Sequence, residues 1–429
     1  MQSHFLIAAP SSNSGKTTIT LGLLRALKNR GVKIQPFKCG PDYIDTKYHE
    51  LASGHPSINL DSFFLSQEEL IDLYHTYANH AVVAIVEGVM GLFDGYEKMQ
   101  GSSAQMAEIL NLPVILVVNA KSMAYSVAPL LYGFKNFYPN IRITGVIFNF
   151  VGSESHYQFL KEACEEAGLE SLGYLPKDAS VQIPSRHLGL NIDREYQFDE
   201  FAEQVAELIE KYIDIDRLLE LTGGVTTIPN HHNRCVYEGD FKIAVAKDEA
   251  FNFVYYENIE HLKSLGHVVF FSPLNDSRLP EADFLYFPGG YPELYLEQLS
   301  HNTPMLNDIR IFAEDGGKIL AECGGMMYLS SSISDEYGHH YPMVGVLKQT
   351  ATMEHMKLKL GYRKFECNGL EIRGHEFHYS TLNTSLETEI QQYNAKNMPV
   401  DTKLIRYKNV IAGYTHIYWG NMNNILDLF

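Results

Sequence analysis

The sequence predicts an α/β chain of two domains, each built on a largely parallel sheet. Two observations predict it. Short, β-branched apolar runs alternate with helical segments through the first half. After a polar stretch at residues 223–238, the same alternation restarts from a fresh strand. Strands this uniformly apolar suit sheets covered by helices on both faces. The 429 residues, 45% of them hydrophobic, suffice for two or three cores of ordinary size, without disulfide staples.

Residues 4–9 read as the first strand, SSNSGKTT as a polar loop and ITLGLLRALKNRG as the first helix, with Gly31 as its stop. VKIQPFK is a second extended segment, and AVVAIVEG (81–88), VILVVNA (114–120) and ITGVIFNF (143–150) are further strands. EYQFDEFAEQVAELIEKYIDIDRLLELT reads as one or two amphipathic helices. The expected organisation is a first domain at 1–222, a linker at 223–238 rich in Gly, Thr, Asn and His, and a second domain at 239–429. The second domain has strands at 241–248, HVVFFSPL, 284–290 and 318–325, with a helix around 252–265. The last two strands run directly into glycines, and YLSSS follows as a helix. There is no internal repeat or low-complexity tract.

A formal net charge of −18 and no run of Lys and Arg argue against a nucleic-acid partner. The five cysteines, Cys39, Cys164, Cys235, Cys323 and Cys367, are odd in number and widely spaced, as reduced thiols of a cytoplasmic protein are. The N-terminus has no basic region before its apolar run, so it reads as a buried strand rather than a signal peptide. Stretches such as LPVILVV are too short to cross a bilayer, and no membrane partner is expected.

The chemistry concentrates at two places. Ser11-Ser12-Asn13-Ser14-Gly15-Lys16-Thr17-Thr18 lies between a strand and a helix, where backbone N–H groups and the helix N-terminus receive phosphate oxygens. There Lys16 would meet the outer phosphates and Thr17 would hold Mg2+. The usual phosphate loop has Gly where this chain has Pro10, which cannot donate an N–H. Asp42, Asp45, Glu87 and Asp94 follow strand ends, where carboxylates face the ligand crevice of an α/β sheet; they either bind Mg2+, orient a polar substrate or cap helices. Lys38 and Lys121 are weaker candidates for anion contacts.

The second place is Ala321-Glu322-Cys323-Gly324-Gly325-Met326. A cysteine in a strand-to-helix turn is expected to be exposed at the tip, near a helix N-terminus that favours the thiolate. Gly289 and Gly290 of FPGGYPE can offer N–H groups to the oxyanion formed when a thiolate attacks an amide. His416 in GYTHIYW is the candidate base. His375 and His378 of GHEFHYS either line the site or serve structure, and His231 and His232 in the linker are expected in solvent.

Taken in order, the GKTT loop, PFKCGPDYID, EGVMGLFDG, FPGGYPELY, ECGGMMYL, GHEFHYS and GYTHIYW resemble the cobyrinic acid a,c-diamide synthase family over essentially the whole chain. The resemblance implies a P-loop NTPase domain with a mostly parallel sheet, joined to a class I glutamine amidotransferase-like α/β domain. It implies a carbon–nitrogen ligase that uses ATP, Mg2+ and L-glutamine to amidate the a and c acetates of a tetrapyrrole-derived macrocycle through acyl phosphate and thioester intermediates. The macrocycle expected is cobyrinic acid; nickel sirohydrochlorin is the alternative, as is an ammonia-dependent ligase with an inactive glutaminase. A homodimer is a further expectation.

By the same resemblance, Ser12, Asn13, Ser14, Gly15, Lys16, Thr17 and Thr18 form the ATP loop, and Asn149 holds the adenine. Asp42, Tyr43, Asp45, Glu87 and Asp94 shape the macrocycle and carboxylate site, with Thr17, Asp45 and Glu87 on the metal. Cys323 is the glutaminase nucleophile and His416 its activating histidine. Three positions depart from the pattern: Ala9-Pro10 replaces Gly-Thr, Asn13 replaces a frequent Gly, and Tyr418 stands where His is common. With no carboxylate two places after His416, a Cys–His dyad is expected.

Overall fold

The computed structural model describes residues 2–177, 195–224, 239–386, 390–422 and 424–429. The chain divides into two compact units, Met1–His232 and Asn233–Phe429. Cys235, His231, His232 and most of the expected linker lie outside the described residues.

In the first unit, strands and helices alternate: β1 (Ser3–Ala8), α1 (Lys16–Asn29), β2 (Ile34–Cys39), α2 (Asp45–Ser53), β3 (Ile58–Leu60), α3 (Gln67–Ala78) and β4 (Val83–Glu87). They continue with α4 (Ser103–Ile109), β5 (Pro113–Asn119), α5 (Val127–Phe137), β6 (Arg142–Val151), α6 (Glu154–Glu166) and β7 (Glu170–Pro176), then α7 (Glu195–Tyr212) and α8 (Ile215–Leu221). The seven strands form one sheet in the order β3-β2-β4-β1-β5-β6-β7. Every neighbouring pair is parallel. All six residues of β1 are buried, as a strand covered on both faces requires. The first helix ends at Asn29, and Gly31, at φ 71°, turns the chain as expected of a helix stop. Helix α7 packs on α1 at Gly22, where a Cβ would come within 2.5 Å of Val205.

The second unit contains β8 (Lys242–Ala246), α9 (Tyr256–Leu265), β9 (His267–Phe271), β10 (Phe284–Phe287), α10 (Leu296–His301), α11 (Thr303–Glu314), β11 (Lys318–Glu322) and α12 (Gly324–Leu329). Shorter strands follow: β12 (Ser330–Ser334), β13 (His340–Pro342), β14 (Leu347–Thr352), β15 (Lys359–Cys367), β16 (Leu370–His378), β17 (Thr381–Thr384), β18 (Gln392–Tyr393) and β19 (Pro399–Val400). The chain closes with β20 (Leu404–Tyr407), β21 (Val410–Gly413) and β22 (Thr415–Tyr418). The central sheet runs β20-β21-β11-β10-β8-β9, and two smaller sheets run β13-β12-β14-β17 and β19-β18-β15-β16-β22. Only β20 is antiparallel in the central sheet. Side chains alternate across it: Ala244, Leu285, Ile319 and Val410 join one core, and Ile243, Tyr286, Leu320 and Ile411 the other.

One expected element is different. Of YLSSS, only Tyr328 and Leu329 are helical: α12 begins at Gly324 itself and ends at Leu329, and Ser330 opens β12. The Ser330 hydroxyl donates to the Met326 carbonyl at 3.1 Å, closing the helix, while the following backbone pairs with β13 and β14. Pairing with these two strands overrides the local pattern.

Candidate functional sites

In the first unit, the loop after β1 holds Gly15 at φ 93° as it enters α1. A Cβ there would lie 1.9 Å from the Asn149 amide nitrogen, so glycine is required by both conformation and space. Asn149, buried at the end of β6, donates that amide to the Ser14 carbonyl at 3.0 Å and so braces the loop. Ser12 and Asn13 are exposed, Ser14 and Lys16 buried, and Thr18 half-buried in the first turn of α1. The Lys16 ammonium donates to the carbonyl of Met90, which follows β4.

The ends of β1, β2 and β4 bring four of the expected residues to one point. Thr17 Oγ1 donates to Glu87 Oε1 at 2.7 Å. The Lys38 ammonium bridges Glu87 Oε1 at 2.9 Å and Asp45 Oδ2 at 2.6 Å. All three charged groups are buried. Burial alone would lower the Lys38 pKa, but the carboxylates of Asp45, Glu87 and Asp42 outweigh it and raise it. Burial likewise pushes Glu87 up, yet Lys38, His49 and Thr17 hold it well below the usual carboxylate range. Lys38 and Glu87 therefore form a charged pair.

His49 and Ser57 were not singled out from the sequence. His49 Nε2 lies 2.6 Å from Glu87 Oε2, and its Nδ1 lies 3.0 Å from Ser57 Oγ. A histidine inside a helix gives no local signal of this role. Asp42 accepts the backbone N–H groups of Ile44 and Asp45, both at 2.8 Å, so it caps the entry to α2. Asp94 accepts the Gly91 N–H at 3.0 Å, tying the turn after β4. Tyr43 is buried beside Asp42, whereas Lys121 is exposed beyond β5.

In the second unit, Cys323 joins β11 to α12 at φ 48° and ψ −107°, a strained backbone for a residue with a side chain. The expectation of an exposed, thiolate-favouring tip is overturned: Cys323 is only 5% exposed. Burial pushes its thiol up, Glu293 adds to this, and the Gly324 N–H opposes it only partly. A helix of six residues supplies little dipole against that desolvation. Cys323 Sγ faces the Phe377 carbonyl of β16 at 3.8 Å.

The glycine turn after β10 lies against the His416 ring and against Gly324, the residue after Cys323. A Cβ on Gly289 would lie 2.1 Å from His416 Cε1, and one on Gly324 would lie 3.0 Å from the Gly290 nitrogen. Gly289 makes room for the imidazole, and Gly290 presents its backbone beside the Cys323–Gly324 turn. The Gly289 carbonyl is held by the N–H groups of Asn252 and Phe253 at 3.1 and 3.0 Å. His416 on β22 sits opposite His375 on β16. Burial, with His375 and His378 nearby, lowers its pKa to about 3 against the opposing effect of Glu376. The resting pair is thus a neutral thiol and a neutral imidazole.

Behind them, His378 Nε2 meets Glu376 Oε1 at 2.7 Å and its Nδ1 meets the Ser380 carbonyl at 2.8 Å. The ring stacks on Tyr414 with centroids 3.5 Å apart, so His378 serves the wall of the site. Among the described residues, no helix is long and apolar enough to cross a membrane.

Both units match known domains. Residues 5–190 match the CobQ/CobB/MinD/ParA nucleotide binding domain, and residues 242–424 the CobB/CobQ-like glutamine amidotransferase domain. A cobyrinate a,c-diamide synthase of Caldanaerobacter subterraneus is 42% identical, covering 96% of this chain and 94% of the relative. Those of Listeria innocua and Methanocaldococcus jannaschii are 40% and 39% identical, each covering 96% of this chain, and 96% and 95% of the relative.

Proposed function

The chain belongs to the cobyrinate a,c-diamide synthase family, and from that membership we propose that it amidates the a and c acetates of cobyrinic acid, using ATP, Mg2+ and glutamine. The observation that carries the reading is the presence, in one chain aligned nearly end to end with these relatives, of a braced phosphate loop and a separate Cys–His site.

The residues present fit the groups this activity needs. The loop from Ser12 to Thr18 follows a buried strand and opens a helix, the arrangement that receives a triphosphate. Asn149, which braces that loop, stands where the resemblance places the residue that holds the adenine. Thr17, Asp45 and Glu87 would hold Mg2+ through hard oxygens, together with phosphates and waters, once Thr17 Oγ1 turns away from Glu87. Bound ATP would supply the phosphoryl group that turns each acetate into an acyl phosphate and leaves ADP, with Mg2+ neutralising the phosphate charge and phosphate as the later leaving group.

The chain's own residues do the rest. Lys16 shifts from the Met90 carbonyl to the developing phosphoryl charge. Lys38, pinned between Asp45 and Glu87, keeps Glu87 ionised, while His49 fixes the second Glu87 oxygen. Asp42, Tyr43 and Asp94 orient the macrocycle at the rim of the sheet.

In the second unit, Cys323 attacks the side-chain amide of glutamine as neutral His416 takes the thiol proton and returns it to the departing nitrogen. The Gly289–Gly290 turn receives the oxyanion through the Gly290 N–H. Water then releases glutamate from the thioester, and the freed ammonia displaces phosphate from the acyl phosphate.

Supplying purified protein with ATP, Mg2+ and glutamine, and offering cobyrinic acid and nickel sirohydrochlorin separately, tests the substrate by mass. Cobyrinic acid is expected to gain two amides. Preference for the nickel macrocycle would overturn the substrate assignment, and amidation of neither would overturn the reaction.

A further inference from the structure

Directly after the glycine turn, Pro292–Leu294 forms a short 3-10 turn against the nucleophile: a Cβ on Gly324 would meet Pro292 at 2.8 Å. Glu293 sits in this turn. The residue retains some exposure, but its Oε2 is out of solvent and has no hydrogen-bond partner among the described residues. The carboxylate takes a hydrogen bond from its own backbone N–H. Among the described residues, no Lys, Arg or His forms an ion pair with it. The groups that feel its charge are Cys323 and Tyr414, the latter hydrogen-bonded to Ser380 at 2.9 Å.

A buried carboxylate oxygen without a partner is costly, and it raises the pKa of the catalytic thiol besides. Burial pushes Glu293 itself up to about 7. Nothing in the hydrolysis of an amide calls for a second anion beside Cys323. A cationic ligand would convert the cost into a charge-assisted hydrogen bond. Glutamine carries one cation, the α-ammonium, at the end opposite the amide that Cys323 attacks.

We propose that Glu293 receives the α-ammonium group of glutamine and so makes the thiol site selective for an amino acid amide over a simple amide. The assignment rests on the glutaminase reading of the second unit. Binding then pairs the orphaned carboxylate only when the correct donor is present. An analogue without the ammonium leaves it unpaired, which is the strongest kind of discrimination a small site can offer.

Hydrolysis of glutamine and of glutaramate, which is glutamine without its α-amino group, tests this with the full-length protein and its Glu293→Gln and Glu293→Asp variants. The wild type is expected to favour glutamine in kcat/KM by about 10- to 100-fold through this contact. Glu293→Gln should erase that preference, mainly by raising KM for glutamine, and Glu293→Asp should restore part of it. Its melting temperature should not fall, because the substitution removes an unpaired buried charge. An equal loss of kcat on both substrates would overturn the proposal in favour of proton transfer by Glu293, and a lowered melting temperature with discrimination intact would make the residue structural. A wild type that hydrolyses no glutamine while amidating with ammonium would instead remove the glutaminase reading, and this assignment with it.

Discussion

Single residues decide whether either site can form. Gly15 combines φ 93° with a gap that the Asn149 amide already fills, so Gly15→Ala forces both a strained backbone and displacement of the brace. The strain alone is worth about 1–3 kcal/mol. The expected outcome is a lower melting temperature and loss of ATP-dependent amidation even with ammonium as nitrogen source. Unchanged nucleotide affinity in titration calorimetry would contradict this. Gly15, Lys16 and Thr17 were legible as a contiguous motif, and Cys323 as a thiol between a strand and two glycines. Asn149 as a brace, His49 behind Glu87 and Glu293 beside Cys323 were not, because each role is a contact with a segment far along the chain. The state of Cys323 was misjudged for the same reason: local context suggests a helix end, whereas the walls that desolvate it come from residues around 290 and 377.

Between elements, the β15–β16 hairpin backs the thiol site through one ionic knot. Arg363 of β15 binds Glu376 of β16, and Thr402 donates to the same carboxylate at 2.6 Å. Burial would raise the Glu376 pKa, but His378, Thr402 and Arg363 bring it down to about 2. Unfolded, the carboxyl titrates near 4.3. Its stabilisation is therefore fully present above about pH 4.3 and is lost as pH falls toward 2, amounting to about 3 kcal/mol. Glu376→Gln should lower the melting temperature at neutral pH and flatten its decline between pH 5 and pH 3. An acid limb as steep as that of the wild type would show that the knot does not carry this linkage. Most parallel strands of the two central sheets were readable from short apolar runs, but β3, β7 and β21 were not. The hairpins after Leu329 were not, since their partners are set by tertiary pairing, as the serine run at β12 illustrates.

At the scale of the whole molecule, the restart of an α/β pattern after residue 238 announced a second unit, and the chain does divide into two compact bodies. The chemistry explains the combination: a carboxylate must be activated before an amine can displace its oxygen, and ammonia near neutral pH is mostly protonated unless it is released on site. The central claim is that the Cys323 site serves only to supply nitrogen to an ATP-driven amidation in the first unit. Its most direct test is amidation of cobyrinic acid by Cys323→Ala, with glutamine and with ammonium supplied in parallel. The account predicts that the variant forms no diamide from glutamine and forms it from ammonium as the wild type does; full glutamine-dependent amidation by Cys323→Ala, or none from ammonium, would contradict it.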